Sequence, residues 1–298
     1  MGFTMRQLTY FVAVAEAGQV SAAARELYVS QSAVTTAVQG VERELGRAVF
    51  ERSPRGVTLT AAGRSLLPKA RQILELAREA ETSAPGDTDI RGTLRVGVTY
   101  TVMGYFLPTH IHRLRLQFPH LDLQWFEMDR TSIEQQVVDG DLDLAVVLTS
   151  NVDSPKIRYE TLVHSSRRLW VAPHHPLAEL TEPTLADVAE FPYALLTVDE
   201  ADQTTRAYWS AKPPTVYLST SSIEAIRSLV AGGDAITVLS DMVYRPWSLE
   251  GGRIEAVVLA DPVPDMDIGL AWAQGREFSP EMTVLHDYFR HVIGGRLT

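Results

Sequence analysis

From Leu94 onward, short runs of apolar and β-branched residues alternate with segments of helical period, and that alternation constrains the fold more than any other feature of this 298-residue chain. The stretches 94–98, 121–126 and 142–148 read as strands, with helices over 102–118 and 132–138 between them. Parallel strands need a crossover of a dozen or more residues, usually a helix, so this order implies an open, mostly parallel sheet flanked by helices. A second set follows, with strands over 162–171, 193–196, 216–219 and 235–239 and helices over 201–210 and 223–231. A strand over 268–272 returns to the first set, and a helix over 280–293 comes last. The expected architecture is two α/β lobes crossed twice by the chain.

The first eighty residues carry no such alternation. Thr4 caps a helix whose Leu8, Phe11, Val12 and Ala15 share a face, and Gly18 ends it. Ser21 caps a short second helix through Leu27, and Ser30 caps a third. In the third, Val34, Val38, Val41 and Leu45 form the buried stripe, so Ser32, Thr36, Gln39 and Arg43 lie on the opposite face with Thr35 at its edge. Two helices joined by a tight turn, the second short and outwardly polar, make a helix-turn-helix, although a plain helical hairpin has the same pattern. Short strands at 49–50 and 57–59, around Pro54 and Gly56, then read as a β-wing with Arg52 and Arg55 at its rim. Thr60 caps a long helix reaching about Glu81, in which Leu66, Ala70, Ile73 and Ala77 fall at coiled-coil spacing, a seam that would pair two copies.

Composition narrows the function. The net charge is −10, yet residues 1–85 hold ten basic and eight acidic side chains while residues 86–298 hold seventeen and twenty-nine. Six basic residues fall within 47–71 beside one acid, Glu51. A local basic patch on an acidic chain is the footprint of polyanion binding, or else a solvated arginine face. No run approaches the ~18 apolar residues of a membrane span. The apolar stretch 10–17 is broken by Glu16 with no cleavage site after it, so a cytoplasmic protein is expected. The chain has no cysteine, which excludes disulfides, thiolate metal sites and thiol chemistry. It has no His-Glu-x-x-His, Gly-x-Ser-x-Gly or dinucleotide motif, so no enzyme activity and no cofactor is expected. His174 and His175 read as a surface pair rather than metal ligands. The 24 arginines against three lysines suggest a G+C-rich bacterial source.

Several motifs stand in order along the chain. RQLTYFVAVAE from Arg6, SAAA from Ser21, VSQ from Val29, VE from Val41, ELG from Glu44, FER from Phe50 and LTAAG from Leu59 closely resemble the LysR-type transcriptional regulators. These are bacterial winged helix-turn-helix proteins with a small-molecule-sensing domain. GDLDLA from Gly140, HPLA from His175 and LVAGG from Leu229 extend the resemblance over essentially the whole chain. Ser32 stands where the family usually has Pro, and Thr35, Thr36 and Gly40 stand where Ser and basic residues are common, leaving this recognition helix lighter in phosphate contacts. Ala235 and Ser240 replace the usual Gly and Pro.

The resemblance implies an N-terminal all-α winged helix-turn-helix domain over 1–62, a linker and dimerisation helix over 60–81, and a hinge over 82–93. It implies a periplasmic-binding-protein-like α/β effector domain over 94–298, with lobe I as 94–162 plus 268–298 and lobe II as 163–267. Ser32, Thr35, Thr36 and Gln39 then face base edges of double-stranded DNA, while Arg43, Arg52 and Arg55 neutralise phosphates. Dimers of dimers would sit on a dyad-symmetric operator, with RNA polymerase as a further partner and no membrane contact.

Ligands of open α/β sheets bind beyond the carboxyl ends of the strands. Thr99, Tyr100, Thr101 and Met103 stand at one such end and Ser219 and Ser221 at another. The loop with Thr197, Gln203, Thr204 and Arg206 forms an opposite wall, and Arg206 is the only cation among these segments. Hydroxyls and N–H groups facing across a cleft suit a carboxylate or similar small anion, although each Ser or Thr is equally well read as an ordinary helix cap. Three rival functions remain: a constitutive regulator with a vestigial cleft, a solute-binding protein, and an enzyme built on the α/β half.

Overall fold

The computed structural model describes residues 2–27, 29–53, 56–82, 90–209 and 213–294, in two compact units, Met1–Ala84 and Pro85–Thr298. In the first unit, α1 (Met5–Ala17) opens on a capping box: Gln7 N–H donates to Thr4 Oγ1 at 3.2 Å and Thr4 N–H to Gln7 Oε1 at 2.8 Å. Gly18, at φ 64°, ends it. α2 (Val20–Glu26) begins one residue before the expected cap, because the Gln19 carbonyl accepts from Ala23 N–H and Ser21 lies inside the helix. Ser30 caps α3 (Gln31–Leu45), accepting from Ala33 N–H at 3.2 Å. Leu8, Phe11 and Val14 of α1 pack with Val34, Val38 and Val41 of α3 in one core.

The wing is an antiparallel pair, β1 (Phe50–Ser53) and β2 (Gly56–Leu59). It is tied to α1 where Val57 N–H donates to the Gly18 carbonyl at 2.9 Å. Thr60 Oγ1 accepts from Gly63 N–H at 3.0 Å and so caps α4 (Ala61–Thr82), which continues through Pro68. α4 departs from the expected seam. Leu66 and Ala70 are buried in the unit's own core, Ala77 is half-buried, and Ile73 stays exposed together with Leu76.

The second unit begins with β3 (Gly92–Val98), α5 (Tyr100–Tyr105), α6 (Leu107–Gln117), β4 (Leu121–Glu127), α7 (Arg130–Asp139) and β5 (Leu144–Leu148). The helix expected over 102–118 is broken at Phe106, since Pro108 at the start of α6 has no N–H to continue the ladder. β3 pairs in parallel with β4 and β5. All five residues of β5 are buried: Leu144, Val146 and Leu148 enter the core under α6, while Ala145 and Val147 enter the one under α7. Burial on both faces is why this strand reads as a continuous apolar run.

The strand expected over 162–171 is two strands, β6 (Ile157–Ser165) and β7 (Arg167–Val171), in different sheets. The remaining elements are α8 (Leu185–Val188), β8 (Tyr193–Leu196), α9 (Ala201–Tyr208), β9 (Val216–Thr220), α10 (Ile223–Gly232), β10 (Thr237–Ser240), β11 (Glu255–Val257), β12 (Met266–Ala273) and α11 (Pro280–Gly294). β12 runs antiparallel to both β5 and β6, so the first sheet, in the order β4-β3-β5-β12-β6, is parallel only over its first three strands. The second lobe places β7 between antiparallel β10 and β11, with β8 and β9 pairing in parallel beside them. No helix among the described residues is long and apolar enough to cross a membrane.

Gly63 closes the LTAAG motif for a steric reason. A Cβ there would lie 2.1 Å from the Val49 carbonyl oxygen, which is backbone and cannot swing away. Gly63→Ala is therefore expected to destabilise the first unit by about 1–3 kcal/mol. Gly104→Ala, in α5 with nothing within 4 Å of its Cβ, is expected to be neutral or slightly stabilising. Thermal unfolding followed by circular dichroism checks both; an unchanged melting profile for Gly63→Ala would contradict the close approach.

Candidate functional site

Two surfaces collect the residues singled out by sequence. The first is the outer face of α3. With Val34, Val38 and Val41 turned inward, Ser32, Thr36, Gln39 and Arg43 are exposed and Thr35 is half-buried. Ser32 Oγ lies 3.0 Å from Ser30 Oγ, and Arg43 Nε donates back to the Gln39 carbonyl at 3.4 Å. Arg52 stands on β1 opposite Val57, and Arg55 lies outside the described residues. Two other cations of the basic stretch are used within the unit: Arg64 Nη1 donates to the Leu59 carbonyl at 2.7 Å, and Arg71 Nη2 lies 2.7 Å from Glu16 Oε1.

The second surface is a narrow cleft between the lobes of the second unit, with room as it stands for about 20 Å³, roughly one water molecule. It opens beyond the carboxyl ends of β3 and β5, which lie side by side where the order β4-β3-β5 reverses, the usual place for a ligand in an open α/β sheet. Thr101, Leu148 and Asn151 line it from the first lobe, and Val198, Asp199, Thr204 and Ser240 from the second. Arg167 and Met266 enter from the two crossing segments. Of the residues expected from sequence, only Thr101 and Thr204 are in this lining. Thr99 is buried, with no hydrogen-bond partner for its hydroxyl among the described residues, Met103 packs on the first-lobe core, and Tyr100, Thr197, Gln203, Arg206, Ser219 and Ser221 are exposed. The cap of α10 is Ser222, which accepts from Ala225 N–H at 3.2 Å.

Arg167, rather than Arg206, is the cation of the cavity. It is 8% exposed, Nε donates to the Pro264 carbonyl at 2.8 Å, and among the described residues it makes no ion pair. Burial pushes its guanidinium below the usual arginine range, while Tyr208, Tyr193, Asp265 and Asp267 support the charge. Sequence reasoning passed over it because it lies inside what reads as a single strand over 162–171.

A strap over residues 198–200 bridges the lobes. Thr101 N–H donates to Asp199 Oδ2 at 2.6 Å, Asn151 Nδ2 donates to the Asp199 carbonyl at 3.0 Å, and Arg130 Nε donates to Glu200 Oε2 at 2.9 Å. The Glu200 contact holds Arg130 above its ordinary range despite partial burial. Asp199 and Glu200 both adopt the left-handed conformation, at φ 50° and 62°. Such residues cost roughly 1–3 kcal/mol each when they are not glycine, so the cross-lobe bonds hold a strained segment in place.

The geometry agrees with comparisons to known proteins. Residues 5–64 match the bacterial regulatory helix-turn-helix protein, lysR family, and residues 87–294 match the LysR substrate binding domain. A probable hydrogen peroxide-inducible genes activator of Mycobacterium leprae is 32% identical over 285 residues, covering 93% of this chain and 90% of that protein. The HTH-type transcriptional regulator CysB of Haemophilus influenzae is 28% identical over 87% of this chain and 82% of its own length. The crystal structure of HinK, a LysR family transcriptional regulator from Pseudomonas aeruginosa, aligns with a TM-score of 0.63 at 28% identity over 99% of this chain and 100% of that one. A winged helix-turn-helix unit followed by a two-lobed effector-binding unit is the organisation of these proteins, and the chain belongs to the LysR family of transcriptional regulators.

Proposed function

We propose that this regulator reads a dyad-symmetric operator through the outer face of α3 and is switched by a small anion, a carboxylate by preference, held at Arg167 between the lobes. The observation that carries the effector half is a buried guanidinium lining a cavity without an ionic partner among the described residues. A ligand carboxylate gains charge-assisted hydrogen bonds there and restores a charge that burial disfavours. Asn151 and the Thr101, Thr204 and Ser240 hydroxyls supply further polar groups, and Leu148, Val198 and Met266 would meet an apolar body once the lobes part to admit it. Asp199 shares the cavity, so an entering anion meets a like charge and bears directly on the strap.

In the DNA half, Ser32, Thr35, Thr36 and Gln39 face bases, and Arg43, Arg52 and Arg55 contact phosphates. Exposed Ile73 and Leu76 on α4 are the apolar surface for pairing protomers in the cytoplasm, into the dimer of dimers that the family resemblance implies. RNA polymerase is the further partner. Some relatives are named as activators of peroxide-inducible genes, but these 298 residues include no cysteine, so thiol oxidation is not a response they can make. A second reading, a constitutive regulator with a closed cleft, draws support from the 2.6 Å bond between Asp199 and Thr101.

Three outcomes are expected. In footprinting and titration on the chain's own upstream DNA, Gln39→Ala costs about 1–3 kcal/mol on the operator and little on mismatched DNA, whereas Arg43→Ala weakens both alike and lowers the salt slope by about 1. Equal losses for Gln39→Ala on both DNAs would remove its base-reading role. In a thermal-shift screen of short aliphatic and aromatic carboxylates, at least one stabilises the wild type and leaves Arg167→Met unmoved; a panel without any hit favours the constitutive reading. For a carboxylate that binds, Asp199→Asn is expected to raise affinity about 5–10-fold, equivalent to about 1–1.4 kcal/mol, and unchanged or weaker binding would show that Asp199 does not oppose the ligand.

A further inference from the structure

A second group of chemistry-bearing side chains sits outside the cleft, where the chain crosses between lobes. β6 and β12 pair antiparallel, and their register sets His164 directly opposite Asp267. Side chains opposite each other across a ladder share a face of the sheet. Asp265 stands two residues before Asp267, in the segment that returns from the second lobe. One ligand atom from each of His164, Asp265 and Asp267 lies within 4.8 Å of the other two. Metal–ligand bonds of about 2.0–2.2 Å place neighbouring ligand atoms roughly 3–4.4 Å apart, so the three groups need only side-chain adjustment to share one ion.

We propose that His164, Asp265 and Asp267 bind one divalent transition cation on the strand pair that joins the lobes. The donor set is one imidazole nitrogen and two carboxylate oxygens, which suits zinc, cobalt, nickel or manganese rather than the all-oxygen shell magnesium prefers. His164 Nδ1 is 2.8 Å from Asp267 Oδ1, and the His164 side chain is 68% exposed, leaving room for water at the remaining coordination positions. The Asp265 carboxylate has neither a hydrogen bond nor an ion pair among the described residues, and two carboxylates beside one imidazole leave negative charge that a dication neutralises. Arg167 answers part of that charge from a distance. The cation would join the outgoing strand to the returning segment at the point where both leave the first lobe. The site does not depend on the effector reading.

The test is calorimetric titration of the full chain, stripped with chelator and dialysed, with ZnCl2, MnCl2 and MgCl2 in turn. One Zn²⁺ per chain is expected, with a matching rise in melting temperature and no binding of Mg²⁺ in the same range. Loss of even an outer partner of a metal site costs about 10–100-fold, so His164→Ala and Asp265→Asn should each weaken Zn²⁺ by about 100-fold or more. Both positions are exposed, and circular dichroism confirms the variants' fold. The double variant His174→Ala, His175→Ala, which removes the only adjacent histidine pair in the sequence, should leave binding unchanged. Absence of stoichiometric Zn²⁺ binding, binding unaltered in His164→Ala and Asp265→Asn, or binding lost with the histidine pair would each overturn the proposal and leave a plain cross-strand His–Asp contact.

Discussion

The antiparallel ladder of β6 on β12, eight residue pairs from Ile157–Ala273 to Ser165–Met266, governs how the effector unit can move. Outgoing and returning strands leave the first lobe at the same rung, so any change in lobe spacing must be absorbed by the few residues around Ser165–Arg167 and Pro264–Met266. Specific polar bonds hold that region. Ser165 Oγ lies 2.7 Å from Ser240 Oγ and accepts from Met242 N–H at 3.0 Å, and Arg167 Nε donates to the Pro264 carbonyl. A few exchangeable hydrogen bonds next to a rigid ladder are the kind of joint that can support discrete arrangements of packed elements.

The strap over 198–200 spans the other side of the same cleft, and its energetics are balanced. Left-handed Asp199 and Glu200 cost roughly 1–3 kcal/mol each. Hydrogen bonds to charged groups return about 1.5–3 kcal/mol each, and the strap has such bonds from Thr101 to Asp199 and from Arg130 to Glu200. Terms of similar size and opposite sign leave a segment whose position a modest differential affinity can decide. Tyr105 adds a further tether, its hydroxyl lying 3.4 Å from Glu224 Oε1 and its ring under Arg227 and Arg245.

What could be read from sequence follows the range of the interaction involved. Thr4, Ser30 and Thr60 cap helices as expected because each bond closes within three residues, and Gly18 ends α1 by its own backbone freedom. The outer face of α3 was legible because helical period alone separates it from the Val34, Val38 and Val41 stripe. The cleft was not. Asp199 meets Thr101 across 98 residues of chain, and Arg167 meets Pro264 across 97, separations that no local pattern encodes. The place beyond a strand's carboxyl end drew attention to Ser219 and Ser221, whereas Ser240 had left a signal by standing where the family has Pro. On α4 one spacing serves two uses: what pairs two helices also packs Leu66 and Ala70 against their own domain, leaving Ile73 outward.

The polar character of α3 bears on how such a regulator can be controlled. Arg43 is the only cation on α3, and Arg64 and Arg71 are engaged by the Leu59 carbonyl and by Glu16. Phosphate neutralisation supplies most sequence-independent affinity, so with one cation on α3 that contribution would fall to cations outside the helix, such as Arg47 and Arg52. Several copies engaging one site together would multiply that binding. Avidity of that kind depends steeply on whether the copies match the spacing of the half-sites, and it is lost when geometry forbids simultaneous contact. Were several copies to engage one site, a change in their spacing would then bear on binding more than any single contact of α3.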